Sequence, residues 1–180
     1  MCAPSDEELM VAVTGGDLAA FGQLVARHQR SAWNAAYRFL GNAADADDVA
    51  QEAFLRVLDS ADCYRPTAAF RTYLYRIVAR LCFDFSRRQR LRRHGQLSDV
   101  AEKEPSPEDA AIVDERAAAV AEAIDSLPPA QKMAVILRYY EDLGYREIAA
   151  ALDTTVKGAE RLLARVRAAL ENRLGRFLEE

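Results

Sequence analysis

The sequence predicts an all-α fold, two small helical domains joined by a flexible linker, and three observations predict it. Alanine, leucine, arginine and glutamate dominate the 180 residues, and these side chains lose little freedom on entering a helix. Only six prolines and eight glycines are present, so long segments run without a breaker. Within those segments apolar residues return every three or four positions, the period of one helix face.

The elements follow in order. Ser5 and Glu8 have the spacing of a capping box, and Leu9 and Val13 continue the apolar pattern. Gly15, Gly16 and Asp17 make a turn, after which Phe21, Leu24, Val25, Trp33, Ala36, Tyr37 and Leu40 mark a second helix that stops at Gly41-Asn42. A third helix is expected from near Asp45, because Asp45, Asp47 and Asp48 complement the positive end of a helix dipole. Val49, Ala53, Phe54 and Val57 give it a buried stripe, and Asp48, Gln51, Glu52 and Leu55 an acidic and amide outer face. Pro66 breaks the pattern, so 59–69 is read as a loop.

A longer helix is expected over 70–93, with Phe70, Leu74, Ile77, Val78, Leu81 and Phe85 inward. Tyr73, Arg76, Arg80 and Arg87 lie opposite. Aromatic and basic groups interleaved in this way suit a nucleic-acid binder, since rings stack on bases and guanidiniums meet phosphates. The structural alternative is a solvated arginine face. Residues 94–110 carry Pro105, Ser106, Pro107 and many acids, which reads as a charged, extended linker. Helical periodicity returns with Ile112, Val120, Ile124 and Leu127 and ends at Pro128-Pro129. It resumes through Met133, Val135, Ile136, Leu137 and Tyr140, and pauses at 142–144. The domains are therefore drawn at 1–93 and 111–180.

Composition and charge exclude several classes. No apolar run approaches the roughly 20 residues that cross a bilayer, and Asp6-Glu7-Glu8 stand where a signal peptide would be basic, so a cytoplasmic protein without membrane insertion is expected. Cys2, Cys63 and Cys82 lack the paired spacing of a zinc site, and His28 and His94 have no second ligand nearby in sequence. Reduced thiols, no metal and no cofactor are expected. No nucleophile-base pair or phosphate-cradling glycine loop marks an enzyme. The net charge of −4 is unfavourable for a DNA binder taken as a whole, but the arginines bunch at Arg87, Arg88, Arg90, Arg92 and Arg93 and the acids elsewhere.

The strongest local signal is a short helix over 145–152, the turn Asp153-Thr154-Thr155, and a helix from Val156 to about Phe177. This is helix-turn-helix spacing, in which the second helix enters the major groove. Ile148, Ala149, Leu152, Ala159, Leu162 and Leu163 would be buried, leaving Lys157, Glu160, Arg161, Ala164 and Arg165 outward. Arginine can pair with guanine, and glutamate can accept from cytosine. A helical hairpin with a charged exterior is the plainer alternative.

The run Leu127-Pro128-Pro129-Ala130-Gln131-Lys132, Leu137-Arg138-Tyr139-Tyr140 and Gly144-Tyr145-Arg146-Glu147-Ile148-Ala149 resembles region 4 of extracytoplasmic-function sigma factors. The run from Asp45 to Val57, followed by Phe70-Arg71-Thr72-Tyr73-Leu74-Tyr75-Arg76-Ile77, is similar to their region 2. The resemblance implies a polymerase-binding face at Asp48, Gln51, Glu52, Leu55 and Arg56, directed at the clamp helices of the largest subunit of core RNA polymerase. It implies minus-ten promoter contacts by Tyr64, Arg65, Phe70, Tyr73, Arg76 and Arg80, with Arg87, Arg88 and Arg90 on duplex phosphates. It implies minus-thirty-five reading by Lys157, Glu160, Arg161, Ala164 and Arg165, and an anti-sigma factor as a partner. The chain departs from the family pattern at Arg80, where asparagine is common, at Asp153, where glycine is common, and at Lys157-Gly158, where glycine then a hydroxyl residue is frequent. The competing function is a dimeric helix-turn-helix regulator acting on palindromic sites without polymerase; it leaves 45–93 without a purpose. A helical interaction protein that binds no DNA is the third.

Overall fold

A computed structural model describes residues 3–65, 68–95 and 115–174, and every regular element among them is helical. The linker expected at 94–110 falls almost wholly outside the described residues, as do Cys2, Ile112 and the side chains of Arg93 and His94.

Helix α1 (Asp6–Thr14) starts on the expected capping box: the Ser5 hydroxyl accepts from the Glu8 amide at 3.2 Å and the Glu8 carboxylate from the Ser5 amide at 2.7 Å. Helix α2 (Leu18–Leu40) is capped by Asp17, whose carboxylate accepts from the Ala19 and Ala20 amides. It ends where Gly41 turns left-handed at φ 74° and donates its N–H to the Tyr37 carbonyl, a conformation glycine enters without steric cost. Helix α3 (Ala43–Asp59) begins two residues earlier than expected, because the Asn42 side chain accepts from the Asp45 amide and serves as its cap. The loop expected at 59–69 contains a 3-10 turn, Ala61–Cys63.

Helix α4 (Phe70–Gly95) takes its N-terminal partner from far away in sequence: the Phe70 amide donates to the Glu7 carboxylate at 3.0 Å. Phe70, Leu74, Val78 and Leu81 are buried as expected, but Ile77 and Phe85 reach only half burial. Tyr75, Ala79 and Cys82 are buried as well. Their spacing of four and then three makes a second apolar stripe, which packs against the other half of the molecule.

In that half, α5 (Glu115–Asp125) lies against α8. Val120, expected inward, is exposed because α5 has one main helical neighbour to pack on. Helix α6 (Pro129–Val135) passes into a π-helical turn, Ile136–Tyr140, where the Glu141 amide reaches back to the Ile136 carbonyl. The wider turn carries Tyr140 outward, against expectation, and its ring lies 4.3 Å from the Arg38 guanidinium. Helices α7 (Tyr145–Ala151) and α8 (Val156–Leu174) complete the chain.

The two halves are not separate globules joined only by their linker. One apolar cluster runs from Leu24, Phe54 and Phe70 through Tyr75 and Cys82 to Leu137, Ile148 and Leu163. A smaller one, Leu127, Val135 and Val166, seals α5 and α6 onto α8.

Candidate nucleic-acid and polymerase interfaces

The helix-turn-helix has the geometry its spacing predicts. Asp153 takes the left-handed conformation at φ 54°, which aspartate tolerates better than most residues. The Thr155 hydroxyl accepts from the Gly158 amide at 3.0 Å and opens α8. A Cβ on Gly158 would stand 2.3 Å from the Thr154 hydroxyl oxygen, so the glycine is there for close approach. Ile148, Ala149, Ala159 and Leu163 are buried, and Leu152 and Leu162 partly so. Lys157, Glu160, Arg161, Ala164 and Arg165 are all exposed along one side of α8, at a spacing that keeps them on adjacent turns.

The residues expected to act on an unpaired base meet at the start of α4. Cys63, Tyr64, Arg65, Tyr73 and Arg76 line a cavity of about 160 Å3, joined by Thr72 and by Ala150 of α7. The Tyr64 and Tyr73 rings meet edge to face at 5.3 Å, and the Arg76 guanidinium lies 5.6 Å from the Tyr73 ring. The Tyr73 hydroxyl shares a 2.6 Å hydrogen bond with Ser60, which fixes that ring. The Tyr64 hydroxyl and the Thr72 hydroxyl are buried without a hydrogen-bond partner, a costly state for a polar group. Burial, and then the charge of Glu7, raise the Tyr64 phenol above its ordinary pKa, so it is present as a donor.

Phe70 is fully buried against His28, at 5.3 Å, and Tyr73. It shapes the floor beneath these residues and presents no face to solvent. Arg80 is exposed and forms a 3.1 Å ion pair with Asp153. Arg87 and Arg88 are exposed further along α4, Arg87 paired with Asp84.

On α3, Asp48, Gln51, Leu55 and Arg56 are exposed and Glu52 partly so. Glu52 and Arg56 pair at 2.8 Å. Together with Leu81, Phe85 and Arg88 of α4 they border a groove of about 500 Å3, so Arg88 stands beside the acidic face rather than with the pocket. Leu55 also borders a second groove of about 670 Å3 lined by Phe21, Val25, Trp33 and Phe54. A further apolar groove of about 430 Å3 lies between α5, α6 and α8, with Ile124, Tyr139, Val166 and Leu170 on its walls. Sequence reasoning missed both apolar grooves and missed Thr72 and Ala150. Thr72 reads as a surface residue on a one-faced helix, and Ala150 meets the pocket only through the contact between halves.

Among the described residues no group of three or more His, Cys, Asp and Glu could hold a metal ion, and none of their helices is long and apolar enough to cross a membrane. Cys82 is buried, which pushes its thiol up to about 12, whereas Cys63 is exposed.

Two family models match: Sigma-70 region 2 over residues 24–92 and Sigma-70, region 4 over residues 117–170. The chain is 36% identical to the ECF RNA polymerase sigma factor SigE of Mycolicibacterium smegmatis, covering 98% of this chain and 72% of that protein. It is 32% identical to the ECF RNA polymerase sigma-E factor of Escherichia coli, covering 94% of both. Among solved structures, CnrH in complex with the cytosolic domain of CnrY aligns with a TM-score of 0.73 at 28% identity, over 96% of this chain and 98% of that one.

Proposed function

The chain belongs to the extracytoplasmic-function sigma factors of RNA polymerase, non-enzymatic proteins of promoter recognition, and from that premise we propose which surfaces carry its function. The α8 face of Lys157, Glu160, Arg161, Ala164 and Arg165 reads the minus-thirty-five element in the major groove. The pocket of Tyr64, Arg65, Tyr73 and Arg76 takes an unpaired base of the minus-ten element, with Phe70 as its support. Unstacking a base costs a few kcal/mol, which rings and hydrogen-bonding groups must offset. Arg80 and Arg87 hold the strand and duplex phosphates beside it, and Arg88 does so next to the polymerase-facing groove. Asp48, Gln51, Glu52, Leu55 and Arg56 dock on the clamp helices of core polymerase, an acidic surface with a projecting leucine at its centre suiting a basic partner.

The observation that carries this reading is the pocket at the head of α4, where tyrosine rings and arginines converge. A fold-supporting helix pair has no use for such a constellation. The domains act as 1–93 and 111–180, joined by the acidic linker at 94–110. An anti-sigma factor is the proposed restraint, supported by CnrH having been solved with CnrY. The site of action is the cytoplasm and the regulon a stress or envelope response.

The test is retention of promoter DNA by the chain with and without core polymerase. Retention of a two-element, non-palindromic promoter only in the presence of polymerase is the expected result. Binding of a palindrome by the chain alone would transfer it to the dimeric regulators.

A further inference from the structure

We propose that Glu7 is a positioning residue for the minus-ten pocket: from α1 it holds the first amide of α4, and with it the angle at which Tyr73 and Arg76 meet Tyr64. The inference rests on the minus-ten reading above and gives a role to a residue that touches no DNA in it.

The start of α4 leaves work for a distant partner. The residue at its cap position, Ala69, has no side-chain oxygen, and no acid stands in its first turn. The first amides of a helix have no partner within it, and that end of the helix attracts negative charge. The Glu7 carboxylate answers both from 63 residues away, accepting from the Phe70 amide at 3.0 Å.

Asp6, Glu7 and Glu8 are consecutive, and each ties a different element. Glu8 completes the capping box of α1 itself. Asp6 reaches α2, pairing with the Arg27 guanidinium at 2.8 Å and the His28 ring at 2.6 Å. Glu7 reaches α4. On the inner side of α1, Leu9, Met10 and Val13 are buried in one cluster with Ala61, Tyr64 and Phe70. The His28 ring lies 5.3 Å from the Phe70 ring, so the first residue of α4 is held by its backbone from α1 and by its side chain from α2.

The pocket is built directly on that hold. Tyr73 and Arg76 follow Phe70 by about one and two helical turns, and a helix is stiff over that distance. Opposite them, Tyr64 ends the 3-10 turn on which α1 packs. Glu7 is close enough to Tyr64 for its charge to act, after burial, on that phenol. One carboxylate therefore stands at the junction of both walls. Without it the first turn of α4 frays, and a flipped base meets rings that are no longer pre-set at one separation.

The test uses holoenzyme assembled from the full chain and core polymerase, on a promoter fragment from which the native holoenzyme starts transcription, with the minus-ten non-template strand left unpaired. Each base of that strand is replaced in turn by an abasic site, and the ratio of affinities for intact and abasic DNA is read at every position. The native chain should show a ratio of about fivefold or more at the captured base, the least expected of one stacked base. Glu7→Ala should lower it to about twofold or less. Glu7→Asp, one methylene shorter, should lower it in the same direction and carries the test should Glu7→Ala fail to fold. Glu7→Gln, whose amide oxygen still accepts from Phe70, should keep it. Asp17→Ala removes a side-chain cap of the same kind from α2 and should lower the unfolding temperature without changing the ratio. A ratio that survives in Glu7→Ala and Glu7→Asp, a Glu7→Gln chain as poor as Glu7→Ala, or an equal loss in Asp17→Ala overturns the positioning role and leaves the pocket assignment standing. A native chain with no abasic effect at any position overturns the minus-ten pocket itself.

Discussion

Arg161 and Arg165 project from α8 one turn apart, with exposed guanidiniums. Replacing either by alanine should weaken promoter discrimination by about 1–3 kcal/mol while leaving association with core polymerase unchanged, as competition binding against mismatched promoters would show. Equal losses on matched and mismatched DNA would reduce them to phosphate contacts. Lys132 gives a pH prediction. Burial pushes its amine down to about 8, although Asp125 at 2.7 Å and the Phe39 carbonyl favour its charged form. The unfolded chain holds this proton up to the ordinary value of 10.5, so between the two values it binds more protons than the folded one. Stability should therefore rise with pH across that window. Urea midpoints taken at pH about 8 and about 10 should show this slope in the native chain and a smaller one in Lys132→Met, whereas equal slopes would contradict it. At this scale the sequence told residue type better than direction. Tyr64, Tyr73, Arg65 and Arg76 do converge, but Phe70 points inward because its ring is needed against His28.

Helix α3 is the element whose two faces were most legible: its inner stripe is buried and its outer residues are open to solvent. Asp48→Lys with Glu52→Lys should lower affinity for core polymerase at least about tenfold through like-charge juxtaposition, with an unchanged helical circular dichroism spectrum; undiminished association would remove α3 as the docking element. Helix α8 carries a packing prediction. Gly158→Ala places a methyl 2.3 Å from the Thr154 hydroxyl oxygen, and turning that exposed side chain away should offset the roughly 1 kcal/mol that alanine gains over glycine in a helix, leaving thermal unfolding little changed. Thr154→Ala on that background should let the helix gain appear, and no gain would place the strain elsewhere. The Ser5 cap and the Gly41 stop were readable because each acts on a neighbour within four residues. The second stripe of α4 and the π-helical turn were not. Tyr75, Ala79 and Cys82 have helical spacing, but only a partner more than 60 residues further on turns that spacing into a buried face.

Across the whole molecule the sequence predicts two bundles on a tether, and the structure adds that they share a core. That contact lies between elements on either side of the linker, where periodicity says which face is apolar but not what covers it. The outward face of α8 remains open to solvent despite that contact. Cys82 reports on the whole arrangement, since it is fully buried and its thiol is pushed up to about 12. Alkylation of Cys82 should be slow in the folded chain and fast once urea unfolds it, as mass spectrometry of the labelled peptide would record. Equal rates would contradict the shared core around it. The most direct measurement is sequencing of transcript 5′ ends made by core polymerase with this chain on a random DNA library. Discrete starts preceded by two sequence blocks at a fixed separation are the predicted result; transcripts indistinguishable from those of core polymerase alone would contradict it.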